Sequence, residues 1–245
     1  MNYENYEMTQ GWEAEAFGQF TPAQDIYYQA ELQRYGVTSR LHLHVLDIGF
    51  GNGSFLGWCR SRGWQCDGLE VNDRLIARAN AHGYTAEQHM DVLSSKVQQP
   101  YDLITAFDVL EHIDRESIVA FLTSVGRVCS THTLFILRFP NGDNPFSMPI
   151  QNGDVTHKTP IGHGMLHQVA KLAGFDVITL GGPSQPLQGA GLVRRLSVII
   201  GKPVRWAVGM AIRQLFMGGA KVNFSSNLLA VLKKHSIAST ATWLD

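Results

Sequence analysis

The chain has 245 residues, 44% of them apolar, a formal net charge of −1 and three cysteines. Length and apolar content suffice for one substantial core, while Cys59, Cys66 and Cys129 have neither metal-ligand spacing nor an even disulfide set. The opening MNYENYEMTQ carries acids and no apolar run, unlike a secretory leader, and no apolar segment reaches the roughly 20 residues of a bilayer span. A reducing, cytoplasmic setting is expected. Residues 1–20 are aromatic and acidic (Tyr3, Tyr6, Trp12, Phe17, Phe20) without a clean period; Thr21 followed by Pro22 then starts a helix that reaches Tyr35 and stops at Gly36.

Leu43 to Ile48 reads as a first strand. Gly49, Gly51 and Gly53 follow, then a helix over Ser54–Arg62 and a second strand, Gln65–Val71, near whose end stands Glu70. Strand, glycine loop, helix, strand and terminal acid make half of a doubly wound nucleotide-binding sheet, with Glu70 at the hydroxyls of a ribose. The dinucleotide fingerprint would need a third glycine where Ser54 stands, and Asp47 at the strand tip would oppose a pyrophosphate. An acid there suits a cationic ligand. The run Asp47-Ile48-Gly49-Phe50-Gly51-Asn52-Gly53 resembles the first motif of class I S-adenosylmethionine-dependent methyltransferases. The resemblance implies a donor held by Asp47, Gly49, Phe50, Gly51, Asn52 and Gly53, and by Glu70 with Val71 and Asn72. It also implies that residues 1–40 form a helical cover over residues 41–245, where Trp12 or Phe17 could lie across the donor; the reading preferred from the residues themselves is that these aromatics staple the segment to the core.

Asp73 caps a helix over Arg74–Ala81, and Tyr84–His89 is a poor strand. Asp91 and Val92 then stand where the resembled family holds the adenine, by a carboxylate on the amino group and a backbone amide on a ring nitrogen; Asp91 alternatively caps the segment after it. Tyr101–Phe107 is an apolar strand, followed by Asp108-Val109-Leu110-Glu111-His112-Ile113 and a helix from Asp114 to about Val128. The "DVLEHI" run resembles the fourth methyltransferase motif, which places Asp108 and Val109 beside the donor. The two motifs together imply an α/β fold: a doubly wound, Rossmann-like, seven-stranded, mostly parallel sheet with helices on both faces. The ligand then lies across the carboxyl ends of the strands.

Thr133–Phe139 is the fifth strand. A loop dense in Gly, Pro, Asn and Asp follows, from Pro140 to His157, and a loop of that length is usually functional or disordered. It offers Asn141, Asp143, Asp154 and Thr156 as acceptor-binding groups, and its pattern "PNGDNPF…GDVTH" is similar to bacterial methyltransferases found with surface-polysaccharide biosynthesis. A helix over Met165–Ala173 and a strand over Phe175–Leu180 follow. Between Val177 and Leu244 there is no Asp or Glu but eight Lys and Arg. Within this region Leu192–Met217 is apolar and basic, and Pro203 is expected to break or kink it into two helical halves. The stretch 192–217, an insert at about 190–220, either lies on a membrane interface or anionic glycolipid, on the inner face of the membrane, or packs on the sheet with a basic outer face. Ser226–Lys234 closes the sheet.

Methyl transfer from a sulfonium requires the donor bound, the acceptor aligned and water excluded. Phe50 or Phe107 offers a ring face to the sulfonium. A hydroxyl acceptor needs a base, and His112 and His157 are the candidates. Asp108, Glu111 and His112 are close in sequence but no later position evidently completes a ligand set, so no metal is expected. The expected activity is O-methylation of a sugar or glycolipid in envelope polysaccharide biosynthesis. A quinone or other small apolar acceptor and a non-catalytic donor-binding subunit are the alternatives. An NAD(P)-dependent oxidoreductase lacks its glycine spacing here. No nucleic-acid partner is expected, because no Asn-Pro-Pro-aromatic run is present and the bases sit among aliphatic residues.

Overall fold

The computed structural model describes residues 16–189, 191–219 and 223–235, with the backbone alone at residue 194. Trp12 lies outside the described residues. The strands are β1 (His44–Ile48), β2 (Gln65–Leu69), β3 (Thr85–Glu87), β4 (Tyr101–Phe107), β5 (Cys129–Pro140), β6 (Phe175–Gly181) and β7 (Asn227–Lys234), joined in one sheet in the order β3-β2-β1-β4-β5-β7-β6. All pairings from β3 to β5 are parallel, and β7 runs antiparallel to both β5 and β6. This is the Rossmann-like, mostly parallel sheet expected from the sequence. Because the chain leaves β1 for β2 on one side and returns as β4 on the other, a crevice opens above the tips of β1 and β4.

Neighbouring residues of a strand point to opposite faces, and β1 shows both filled. Val45 joins a core with α1 (Pro22–Gln33), α2 (Ser54–Ser61) and α3 (Asp73–Ala81), through Leu32, Trp58 and Leu75. Leu46 joins the opposite core with α5 (Ile118–Gly126) and α7 (His163–Leu172), through Leu122 and Leu166; α4 (Met90–Lys96) adds Leu93. A strand apolar on both faces is what a parallel sheet requires.

The N-terminal helix is held by specific bonds. Thr21 and Gln24 form a reciprocal capping box, and the Trp58 indole donates to Asp25 Oδ1 at 2.8 Å. Phe17 packs on Gly53, where a Cβ would lie 2.6 Å from the ring. The Gly18 amide donates to the Asn52 carbonyl at 2.8 Å.

Several boundaries differ from expectation. The helix expected from Asp114 begins only at Ile118, after short 3₁₀ turns at Leu110–His112 and Arg115–Ser117. The strand expected at Thr133 starts four residues earlier, at Cys129. Pro203 does not divide the C-terminal stretch: α8 (Leu192–Phe216) is a single helix of 25 residues with Pro203 inside it. Proline there removes only the amide that would bond the Ile199 carbonyl, and Ile199 is 58% exposed, so water can take that place. A four-residue helix, α6 (Met148–Gln151), lies within the long loop after β5.

Gly57 of α2 carries a test of how the N-terminal segment docks. A Cβ on Gly57 would lie 1.7 Å from the Gly18 carbonyl oxygen, a contact that only backbone displacement relieves. Gly57→Ala is expected to lower stability by about 1–3 kcal/mol in denaturant unfolding, despite the higher helix propensity of alanine. Unchanged or raised stability would show that segment 16–18 does not sit on α2.

Candidate active site

The sheet's carboxyl edge bears a cleft of about 1140 Å³. Its floor is the glycine loop, where Gly49, Gly51 and Gly53 have φ of 69°, 54° and 73°, a region open to glycine at little steric cost. A side chain at Gly49 would also meet Val109, at 2.5 Å. Of the residues expected to hold the donor, Asp47, Gly49, Phe50, Gly51, Asn52, Glu70, Val71, Asn72, Asp108 and Val109 line the cleft. Gly53 instead caps α2 and is covered by Phe17.

Each acid is managed differently. Asp47 is buried and takes a bond from Thr105 Oγ1 at 2.7 Å. Burial pushes its carboxyl up to about 7, against the opposing effect of Thr105. Glu70 gathers loop amides: Val71 N at 2.7 Å and Asn72 N at 3.2 Å on one oxygen, Gly51 N at 3.2 Å on the other. These bonds hold the carboxylate at the tip of β2 and leave it further acceptor capacity for ribose hydroxyls. Asn72 Oδ1 caps α3 through Arg74 N at 3.0 Å, and Asn52 Oδ1 takes Ser54 N at 3.2 Å.

Asp108 is the one described non-glycine residue with positive φ, at 58°, a conformation costing of order 1 kcal/mol. Arg138 of β5 holds it there. The Arg138 Nε donates to Asp108 Oδ1 at 3.0 Å, a second guanidinium nitrogen donates to Oδ2, and the Arg138 carbonyl accepts the Asp108 amide at 2.8 Å. The same guanidinium lies 5.1 Å from the Phe107 ring centroid. Phe107 thus already faces a cation, while Phe50 packs against Gly68 and, edge to face, against Phe17.

Beyond β4 the long loop folds back onto the Leu110–His112 turn. The Glu111 carbonyl accepts Lys158 N at 2.7 Å and Thr159 N at 3.1 Å. This brings His157 beside His112, with ring centroids 4.8 Å apart at 70°. His112 Nδ1 meets Thr156 Oγ1 at 2.9 Å, and Asp154 Oδ1 accepts Thr156 N at 2.8 Å and Thr156 Oγ1 at 2.6 Å. His157 Nδ1 meets the Gln151 carbonyl at 2.9 Å. Glu111 is 1% exposed, and burial followed by the charge of Asp108 pushes its carboxyl up to about 8. Burial and His157 lower the pKa of His112. His112, His157, Glu111 and Asp154 all reach the cleft wall; Thr156 acts behind it, on His112.

Three expectations need correction. Asn141 is a bracket: its buried amide donates to the carbonyls of Asn223 at 2.6 Å and Ser225 at 2.9 Å. Asp143 accepts the His163 amide and starts α7. Neither lines the cleft. Asp91 extends to Arg127 and Val92 is exposed, so the cleft corner meant for them is lined by Gln88, His89 and Met90. The reason is the early start of α4, which turns position 91 outward on its first turn. Sequence reading also missed Gln24 and Tyr28, which reach the cleft from α1, with Tyr28 Oη 3.1 Å from Ser54 Oγ. The helical period of α1 was readable, but its pairing to Ser54, 26 positions later, was not.

A sheet of this order with an acid-tipped glycine loop at its switch point defines a class I S-adenosylmethionine-dependent methyltransferase. The sequence matches the profile of the methyltransferase-domain family over residues 23–180, and the chain belongs to that family. Its donor is S-adenosylmethionine. Among solved structures, a SAM-dependent methyltransferase from Archaeoglobus fulgidus is similar, with TM-score 0.60 and 19% identity over 96% of this chain and 100% of that one. A putative methyltransferase from Haloferax volcanii, in complex with the Trm112 activator, gives 0.56 and 10% over 96% and 98%. The magnesium protoporphyrin IX methyltransferase of Synechocystis with bound SAH gives 0.53 and 13% over 95% and 96%. At these identities the likeness is one of fold. A search of curated proteins finds no match.

Asp47 gives a pH test. Its carboxyl is raised from an unfolded value of about 4 to about 7 in the fold, so the stability it supports is present at acid pH and is lost as pH rises from about 4 to about 7. A cationic donor reverses that trend by favouring the ionised form. Donor affinity is therefore expected to rise about tenfold between pH 6 and 8 in the wild-type protein and to stay level in Asp47→Asn, measured by calorimetry. Parallel pH profiles for the two proteins would remove Asp47 from the donor site.

Proposed function

We propose that this methyltransferase transfers its methyl group to a hydroxyl oxygen of a sugar or glycolipid, of the kind from which envelope polysaccharides are built. The observation that carries the oxygen acceptor is the paired imidazoles of His112 and His157 on the cleft wall beyond β4. An alcohol becomes a competent nucleophile only as it loses its proton, and an imidazole within hydrogen-bond reach is suited to take it. The cleft, at about 1140 Å³, exceeds the roughly 300–1,000 Å³ of a site for one small ligand, which leaves room for an acceptor beside the donor. Asp114, Asp154 and Lys158 give the acceptor side hydrogen-bonding groups suited to a polyhydroxylated ring.

A lipid-linked acceptor is favoured by α8. Leu196, Ile199, Ile200, Val204, Trp206 and Met210 are all exposed on it, among Arg195, Lys202 and Arg205. No helix among the described residues is long and apolar enough to cross a membrane, but an exposed helix mixing bases with Trp and aliphatic side chains suits an anionic lipid surface.

Incubation with labelled S-adenosylmethionine and fractionated envelope material is expected to label a glycan or lipid-linked sugar fraction. His112→Ala and His157→Ala should each lower turnover by roughly 100-fold or more at near-constant donor affinity. Label appearing only in quinone or other apolar extracts would reverse the acceptor assignment, and donor binding without any transfer would favour a non-catalytic subunit. For the surface, the protein is expected to co-sediment with vesicles containing phosphatidylglycerol but not with pure phosphatidylcholine, and to be released at about 0.5 M salt. A double change, Ile200→Glu with Trp206→Glu, should abolish sedimentation; if it leaves binding intact, α8 is not the contact.

A further inference from the structure

We infer that Glu111, His112 and His157 form a binding site for one divalent transition-metal ion of the zinc type, opening into the donor cleft. The inference rests on the reading of a hydroxyl acceptor and changes one part of it, making the two imidazoles ligands of the ion that activates the hydroxyl rather than the groups that take its proton. One ligand atom from each residue lies within 4.8 Å of the other two, and His157 Nε2 is 3.9 Å from Glu111 Oε1. Tetrahedral coordination with bonds of about 2.1 Å places ligand atoms roughly 3.4 Å apart, so the His157–Glu111 pair needs to close by about 0.5 Å and the widest pair by up to about 1.4 Å.

Glu111 points to an ion most directly. It is 1% exposed, and neither carboxylate oxygen has a hydrogen-bond partner among the described residues. A buried acid without such a partner is costly, and carboxylate with two imidazoles is a donor set that zinc, cobalt and iron(II) accept.

The histidines are also oriented as ligands are. His157 Nδ1 bonds the Gln151 carbonyl and His112 Nδ1 sits between the Thr156 hydroxyl and carbonyl, at 2.9 and 3.3 Å. A carbonyl on Nδ1 fixes the proton there and leaves Nε2 as the lone-pair nitrogen, the outer-shell arrangement common at metal-bound imidazoles. The cluster is built into the fold, since the two bonds from Lys158 and Thr159 to the Glu111 carbonyl hold loop and turn together.

With the three side chains on one side of the ion, a further coordination position faces the cleft. An acceptor hydroxyl ligated there loses its proton to solvent more readily. Its oxygen then bonds to the donor methyl as the carbon–sulfur bond breaks, and sulfur retains the electron pair as a neutral thioether.

The test is cobalt(II) titration of the full chain, read by visible absorption and calorimetry, with zinc as competitor. One cobalt per chain is expected, displaced by zinc, with affinity reduced at least tenfold in Glu111→Gln and in His157→Ala while S-adenosylmethionine binding is retained. In the wild-type protein, zinc should shift the ring-nitrogen NMR signals of both His112 and His157, a readout independent of any variant. No cobalt binding, equal binding in the variants, or unmoved imidazole signals would overturn the site. Methyl transfer that persists in cation-free protein would overturn the ion and leave the hydroxyl acceptor standing; a bound ion without transfer to any hydroxyl would do the reverse.

Discussion

Carboxylates crowd one cleft. Asp47, Glu70, Asp108, Glu111, Asp114 and Asp154 line it, against the guanidinium of Arg138 and the ammonium of Lys158. Taking like charges out of water together is unfavourable, and each acid must be neutralised, paired or hydrogen-bonded. The structure does this unevenly. Asp108 has Arg138, Glu70 has loop amides, and Asp154 has Thr156, whereas Asp47 has one hydroxyl and Glu111 has no hydrogen bond among the described residues. The remaining electrostatic demand is for positive charge. S-adenosylmethionine brings a sulfonium and an ammonium, charges of the sign this cleft calls for. A nicotinamide dinucleotide would bring a pyrophosphate to the same place and increase that demand.

The backbone is shaped to permit this crowding. Three glycines at positive φ let the loop after β1 turn tightly; the Gly51 amide donates to Glu70, while those of Gly49 and Gly53 donate to the carbonyls of Leu69 and Phe50. Asp108 adopts the same backbone region without being glycine, and the bond network of Arg138 offsets the strain. The fork geometry of arginine, planar and always charged, fits a carboxylate held in a fixed direction better than a lysine would. The strained residue and its partner come from the adjacent strands β4 and β5, so the sheet itself sets their distance.

What could be read in the sequence was local. The glycine loop, the acid-tipped strands and the apolar strand before Asp108 are continuous runs whose period and composition report their own conformation, and the resemblance they carry implied the fold class. Two of the errors concern partners distant in sequence. Asn141 is polar in an apparently functional loop, yet its amide spans 82 and 84 positions to bind two carbonyls. Asp143 reaches 20 positions to an amide of α7. Nothing in local composition separates such brackets from ligand-binding side chains. Pro203 misled in the opposite way: a local rule about helix interiors yields where the lost hydrogen bond faces water. The approach of His157 to Glu111, 46 positions apart, was likewise invisible until the loop was seen to hang from the Glu111 carbonyl.

Those brackets also join the surface helix to the chemistry. Gly209 of α8 lies against Phe224, which Arg213 approaches at 5.6 Å, and Phe224 in turn faces Phe146 of the long loop at 6.3 Å. Asn141 and Asn144 clamp the carbonyls of residues 223–225 to the start of that loop. The loop then carries Asp154 and His157 to the cleft wall, with Thr156 behind it. A short run of packed rings and side-chain amides therefore connects α8 with the cleft wall. The two ends of that run differ in kind, since α8 is exposed and bound to the body at few points while Glu111 and the Asn141 bracket are buried.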